Sequence, residues 1–279
     1  MNRTLFPLTI LVALLLSACG LNIVPGSGKV IDEARTVNGY TKIVFAAPGE
    51  LTISQDDSEA LSISAEDNLL PYLRTNVENG VLRISVEPLM TLLQPTKPIR
   101  YTLSVKTLEG LTLDGSGDIR AEKLENDRFA LNLNGSGNIT LGELTTKNSI
   151  SANLNGSGTL KVETLFAADL TLTLSGSGDV NFTHLQTATL TTVINGSGTF
   201  TAAGKLDNQT AQLNGSGSYR ASGLESGSAD ISILGSGDGQ VWVTETLKVR
   251  ITGSGDVSYK GKASVTQTVT GSGNIYSTQ

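Results

Sequence analysis

The chain has 279 residues, a net charge of −6 with both signs interspersed, 31 glycines and only 5% aromatic residues. Without a Lys/Arg-rich run to meet a phosphate backbone, no nucleic-acid partner is expected. One cysteine and one histidine exclude an intrachain disulfide and a Cys/His zinc centre, which needs several such ligands.

Residues 1–18 read as a signal peptide: Arg3 makes the start weakly positive, and Leu5 to Leu16 form an apolar run too short for a spanning helix. The stretch Leu16-Ser17-Ala18-Cys19 resembles a bacterial lipobox, in which the leader is cut before a cysteine that carries lipid. Cys19 is therefore the expected lipid-attachment residue. Gly20 follows it, not the aspartate that resembles an inner-membrane retention signal, so the outer membrane is the expected address. Residues 19–29 form the lipidated cysteine and a short tether.

Residues 30–110 read as an N-terminal β module or cap. "ELTIS" (50–54), "ALSIS" (60–64), "GVLRISV" (80–86) and "IRYTLSV" (99–105) all alternate apolar with polar residues, as half-buried strands do. "EDNLLPYL" (66–73) is the best helical or turn segment, and "PLMTLLQPTKP" (88–98) is a proline-flanked, partly apolar loop. Such a module would cover the sheet edge that a first coil leaves open.

Residues 111–279 carry the repeat. Gly-Ser-Gly units begin at Gly115, Gly135, Gly156, Gly176, Gly196, Gly215, Gly235, Gly253 and Gly271. A fixed period near twenty marks a solenoid of stacked coils. Counting by twos from Leu131 gives Leu131, Leu133, Gly135, Gly137, Ile139 and Leu141, so both glycines are expected inward and Ser136 outward. The inward residues, Leu, Ile, Val, Phe and Ala, are expected to fill a solid aliphatic core. Nine corners at the parallel-strand spacing make a rod section of roughly 40 Å. A phosphate loop would want a helix directly after its glycines, whereas "NITL", "DVNF" and "DVSY" read as strands. The glycines are a corner device. In "GSGDGQVWV" (235–243), Gly239 and Gln240 precede the strand, so a local bulge is expected there, with Trp242 outward between Val241 and Val243.

The lipobox, the opening "RTVNGYTKIVFAAPGELTISQ" (35–55), the segment "EDNLLPYL…VENGVLRI" (66–84) and the serial Gly-Ser-Gly units together resemble the head GIN domain family of autotransporter-adhesin type. The resemblance covers nearly the whole chain beyond the leader. It implies a right-handed parallel β-helix and bacterial envelope proteins without an established activity, and it supplies no functional residues. The sequence closes on its repeats, so no translocator barrel is expected.

Three functions compete. A sugar-cleaving β-helix would need paired carboxylates, and Asp118, Asp179, Asp238 and Asp256 follow the corner glycines, with Asp238 and Asp256 on consecutive coils. Asn138, Thr159, Thr199, Ser218 and Asn274 fill the same slot, which favours turn capping over acidity. Glycine-aspartate calcium repeats use a nonapeptide period, which this chain lacks, and neither a metal nor a cofactor is expected. Asn134, Asn155, Asn195 and Asn214 precede the corners and would form an amide ladder. His184 reads as a solvated return-turn residue. Trp242, with Asp238 and Asp256, is the candidate ligand surface, an exposed indole being able to stack on a sugar. The reading is an all-β, non-catalytic lipoprotein of the outer membrane, a rigid solenoid of adhesion type. It meets the membrane through its N-terminal lipid, and glycans or other surface components are its expected partners. The alternatives are a carbohydrate-active β-helix enzyme and a purely structural spacer.

Overall fold

Alternation about each Gly-Ser-Gly turns the chain into coils that stack in register. In the computed structural model, which describes residues 22–278, Phe129–Gly135 lies parallel between Gly110–Gly115 and Ser149–Gly156, with Gly115, Gly135 and Gly156 in line. The strands beyond the corner stack likewise: Asp118–Asn126, Asn138–Thr146 and Thr159–Phe166 keep Ile119, Ile139 and Leu160 in line. The same ladders continue to Ser264–Gly271 and Ile275–Ser277. The fold is a β-solenoid of parallel coils. Residues 1–18 and Cys19 lie outside the described residues.

Each coil has three sides. Ile139 and Leu141 are buried, but the next buried residues are Leu144 and Thr146. Alternation has slipped by one, and the ladder skips the Glu122/Gly142 position. That slip is a second bend. The third is the exposed Lys147-Asn148 turn, after which Ile150, Ala152 and Leu154 point inward again.

The stack does not follow chain order at its beginning. Lys42–Ala46 pairs parallel with Gly110–Gly115 on one edge and with Val81–Val86 on the other. Glu50–Gln55 is held in the same way between Asp118–Asn126 and Arg100–Val105. Farther out the pairing turns antiparallel: Leu73–Glu78 lies against Val81–Val86, Ala60–Glu66 against Arg100–Val105, and Val30–Arg35 against Ala60–Glu66. Asn79 and Gly80, both at positive φ (51° and 75°), make the tight turn that permits the Leu73–Val86 hairpin. The expected helical segment is a single 3-10 turn, Leu70–Tyr72. Within the stretch read as a tether, Asn22–Pro25 forms a parallel pair with Thr91–Gln94.

The buried core runs unbroken from Val37 to Val257. Beside the expected Leu, Ile, Val, Phe and Ala it buries tyrosine and polar side chains. Phe182, Phe200 and Tyr219 follow one another through three coils, with centroids 5.8 Å and then 4.9 Å apart. Thr192, Gln209 and Ser226 are buried as well. A buried phenol needs a hydrogen-bond partner. Tyr219 Oη donates to Gln209 Oε1 at 2.8 Å, Gln209 Nε2 to Ser226 Oγ at 2.7 Å, and Ser226 Oγ to the Trp242 carbonyl at 3.0 Å.

The bulge expected at Gly239 lies elsewhere. Ser218–Ala221 and Asp238–Val241 pair without interruption, and the shift falls where Ala221/Glu225 face Val241/Trp242. Gly239 takes an inward slot in line with Tyr219. The coil is shortened at its second bend, after Val241, so the irregularity belongs there.

Candidate functional site

The corner is the most repeated feature, and the structure shows how its polar groups are used. The first glycine has φ between 117° and 135° at all nine corners, a region that residues with a Cβ rarely adopt. At several corners its carbonyl accepts two bonds from the next: Ser197 N and Gly198 N reach Gly176 O at 2.9 and 3.1 Å. Ser177 N and Gly178 N reach Gly156 O in the same fashion, at 2.9 and 3.0 Å. The second glycine lies against the carbonyl of its counterpart one coil earlier. A Cβ on Gly198 would stand 2.5 Å from Gly178 O and 2.7 Å from Leu174 Cδ2. The two glycines differ in exposure and backbone. Gly198 is buried, while Gly196 is half-buried and has the positive φ; a Cβ there would also stand 2.4 Å from Gly176 O. The expectation that both point inward holds for the second only. These corner amides are consumed between coils, which leaves no phosphate cradle.

Asp238 and Asp256 are stacked one strand spacing apart, ~4.8 Å, yet each carboxylate is turned along the stack. Asp238 Oδ1 accepts from Asp256 N at 3.0 Å, and Asp256 Oδ1 accepts from Asn274 N at 2.7 Å. Asp118 Oδ1 serves Asn138 N in the same way at 3.1 Å. A carboxylate here caps an amide that a short polar side chain can also cap. Asn134 Nδ2 donates to Asp114 Oδ1, Asn155 Nδ2 to Asn134 Oδ1, and Asn214 Nδ2 to Asn195 Oδ1, at 2.8 to 3.0 Å. The amide ladder thus forms as two runs, with Ser175 standing between them.

Trp242 points outward and is half-buried, between buried Val241 and Val243. One face of its ring is covered: Lys260 Nζ lies 4.0 Å from the centroid, a cation–π contact. On the neighbouring coil its register partner is Glu225, which pairs with Lys205 at 3.4 Å. Lys205, Glu225, Trp242 and Lys260 form a column of alternating character across four coils. Asp238 lies at the corner, four residues before Trp242, so the structure does not bring the two onto one slot of the coil. His184 is exposed.

Burial pushes the Tyr219 and Tyr101 phenols well above the ordinary tyrosine range. Tyr40 is raised to about 12, first by burial and then by Glu59 and Asp56. All three are structural: Tyr40 Oη donates to Ser104 O at 2.9 Å and Tyr101 Oη to Pro48 O at 3.2 Å. Among the described residues, no three His, Cys, Asp or Glu side chains are grouped to hold a metal. The sequence reading missed the Tyr219–Gln209–Ser226 chain, although counting by twos back from Leu213 places Gln209 inward. It also missed Glu66, fully buried and holding two loops.

The family model described as "Putative auto-transporter adhesin, head GIN domain" matches residues 39–163 and 145–263, two overlapping copies. No curated protein matches the sequence. Among solved structures, a "Putative lipid binding protein" from Parabacteroides distasonis is 26% identical with a TM-score of 0.69. A "putative adhesin" from the same organism is also 26% identical, with a TM-score of 0.69. A "putative adhesin" from Parabacteroides merdae, 24% identical with a TM-score of 0.71, is alike in fold. Each is covered over 100% of its own chain and covers 92% of this one.

Proposed function

Because the chain belongs to the head GIN domain family, we propose that it is a non-catalytic adhesion-type module of the bacterial envelope, tethered to the outer membrane by lipid on Cys19. The observation that carries the non-catalytic reading is the use of the corner carboxylates. Asp238 and Asp256 each turn Oδ1 onto an amide of the next coil, an arrangement that aims the carboxylates along the stack. A glycosidase pair must instead face the scissile bond from both sides. What the coils offer a partner is a set of outward polar rows repeating every strand spacing, ~4.8 Å, suited to weak contacts made many times over.

The test of binding is to present the purified rod to envelope polysaccharides and host-cell glycans while following release of reducing ends. Binding without release supports the adhesion reading. Release that is lost in Asp238→Asn/Asp256→Asn, with an unchanged melt, gives the function to the enzyme reading. No binding at all leaves a spacer. For the anchor, Cys19→Ser is expected to abolish incorporation of a labelled fatty acid and to leave the leader unprocessed. Normal labelling and processing of that variant would sink the lipoprotein proposal.

A further inference from the structure

We propose that the turn Pro88–Thr91, with the outer face of the small sheet beside it, is a membrane-contact surface. Leu89, Met90, Leu92 and Ile23 would enter the headgroup boundary of the same bilayer that holds the Cys19 lipid. The inference rests on the lipid-anchor reading above.

Exposure first draws attention to the place. Leu89 is 89% exposed, Met90 64%, Ile23 50% and Leu92 45%. Ile23 and Leu92 are register partners in a parallel pair, so their side chains stand side by side on one face. On the opposite face Val24 and Leu93 pack against the core. The sheet is thus apolar on both faces, and only one has a partner. From Pro88 to Thr96 the sequence "PLMTLLQPT" carries no charge.

The turn is built against local preference. Thr91 N closes it on Pro88 O at 3.2 Å, which puts Leu89 and Met90 at the two central positions. Glycine, asparagine and aspartate are usual there. Met90 has φ of 70°, a region that large side chains disfavour. A turn that only had to reverse the chain would not place its two largest apolar side chains in solvent in this way.

The surface is also held firmly. The buried Glu66 carboxylate accepts from Gly28 N at 2.5 Å, Thr96 N at 2.9 Å and Thr96 Oγ1 at 2.6 Å. The Thr96 hydroxyl bond foremost keeps this carboxyl below its usual range. Asn68 Nδ2 adds a bond to Pro25 O at 2.7 Å, and Gly26 N one to Gln94 O at 2.9 Å. Both arms leading to the turn are therefore fastened to the solenoid.

Position names the occupant. Asn22 N donates to Met90 O at 3.0 Å, and Cys19 is three residues upstream. Three residues reach at most ~10 Å. A lipid on Cys19 inserted in a bilayer thus holds Met90 close to the headgroup level. Apolar side chains are buried favourably at that depth. A single lipid point would let the rod swivel; a second, apolar contact ~10 Å away fixes its tilt.

The test uses the full chain matured in a bacterial host and reconstituted into phosphatidylethanolamine/phosphatidylglycerol vesicles with brominated acyl chains. Leu89→Trp is made in a Trp242→Phe background, and the unaltered protein serves as control, since Trp242 lies many coils away. Intact mass reports the lipid on Cys19. The expected result is lipid present, residue-89 emission quenched by about half or more at headgroup depth, and Trp242 unquenched. Lipid present with residue 89 fully open to aqueous iodide overturns the contact and leaves the anchor standing. Shielding from iodide without bromine quenching, with a doubled mass in detergent, overturns it in favour of a second copy of the chain. Absence of lipid overturns the anchor, and the contact with it. Leu89→Glu/Met90→Glu should keep the wild-type circular dichroism and remain acylated, while the rod loses its fixed tilt by polarised infrared spectroscopy.

Discussion

Replacing Gly198 by alanine adds one methyl group at a buried, crowded point of the corner. That methyl would stand 2.5 Å from Gly178 O and 2.7 and 3.0 Å from two atoms of Leu174. Ordinary contact lies near ~3.5 Å, so the coil must lift by about 1 Å. Lifting stretches Ser197 N and Gly198 N away from Gly176 O, and Thr199 N away from Gly178 O, from 2.9 to 3.1 Å to beyond bonding length. Overpacking alone costs about 1–3 kcal/mol, and each weakened bond about 0.5–1.5 kcal/mol. A loss of roughly 5 kcal/mol is the expected middle of the combined range. For a chain of this length it corresponds to a fall of about 10–20 °C in Tm. Ser197→Ala, at the exposed residue next door, should stay within about 0.5 kcal/mol. The assay is thermal unfolding by circular dichroism, with amide exchange at residues 197–199 as the local readout. Equal, small shifts for both variants would refute the steric account of the second glycine.

Tyr219→Phe should destabilise the chain by about 1–3 kcal/mol, because Gln209 Oε1 is left buried without its donor. Adding Gln209→Leu should recover part of that loss in a double-mutant cycle followed by urea unfolding. Asp238→Asn/Asp256→Asn should melt within about 1 kcal/mol of the parent, since an amide oxygen can accept the same bonds; a larger loss would mean the charge itself matters. Stability should decline on the alkaline side. Tyr40 ionises at about 12 when folded, against 10.0 for a free phenol, so the folded chain holds its proton more tightly. Its contribution is complete below pH 10 and lost as pH rises through about 12. Tyr40→Phe should flatten that decline, as read by phenolate absorbance and unfolding midpoints across the window.

The solenoid was legible because its period is written in glycines and its inward face in strict alternation. From Leu131 to Leu141 the count by twos gives the observed burial, Gly135 apart. The second bend was not legible. It is a one-residue slip between Leu141 and Leu144; the residues within it vary from coil to coil, although a buried leucine follows at 124, 144, 165 and 185. The order of stacking at the start was hidden for another reason. Alternation says which face is buried, whereas pairing partners are chosen in three dimensions. One clue was available: Asn79-Gly80 between two alternating runs is a hairpin signal, and it shows that the front half contains antiparallel pairs. At the candidate site, the carboxylates could be located from sequence but their aim could not. The direction of Asp238 Oδ1, along the stack and onto Asp256 N, follows from coil geometry. The indole of Trp242 was correctly placed outward, yet its cover came from Lys260, eighteen residues on and one coil away.

The coil Lys42–Gln55 sits between segments that precede and follow it in the stack but all come later in the chain. This arrangement permits an order of assembly. Residues 22–105 can close on themselves first, through the antiparallel pairs and the strands laid against one edge of that coil. Its other edge then stands ready as a template when Gly110 arrives. From that point each strand is added to one already in place, and every corner after the first finds a glycine carbonyl on the coil before. A chain that folds from its N-terminus can therefore lay each new coil on one already formed.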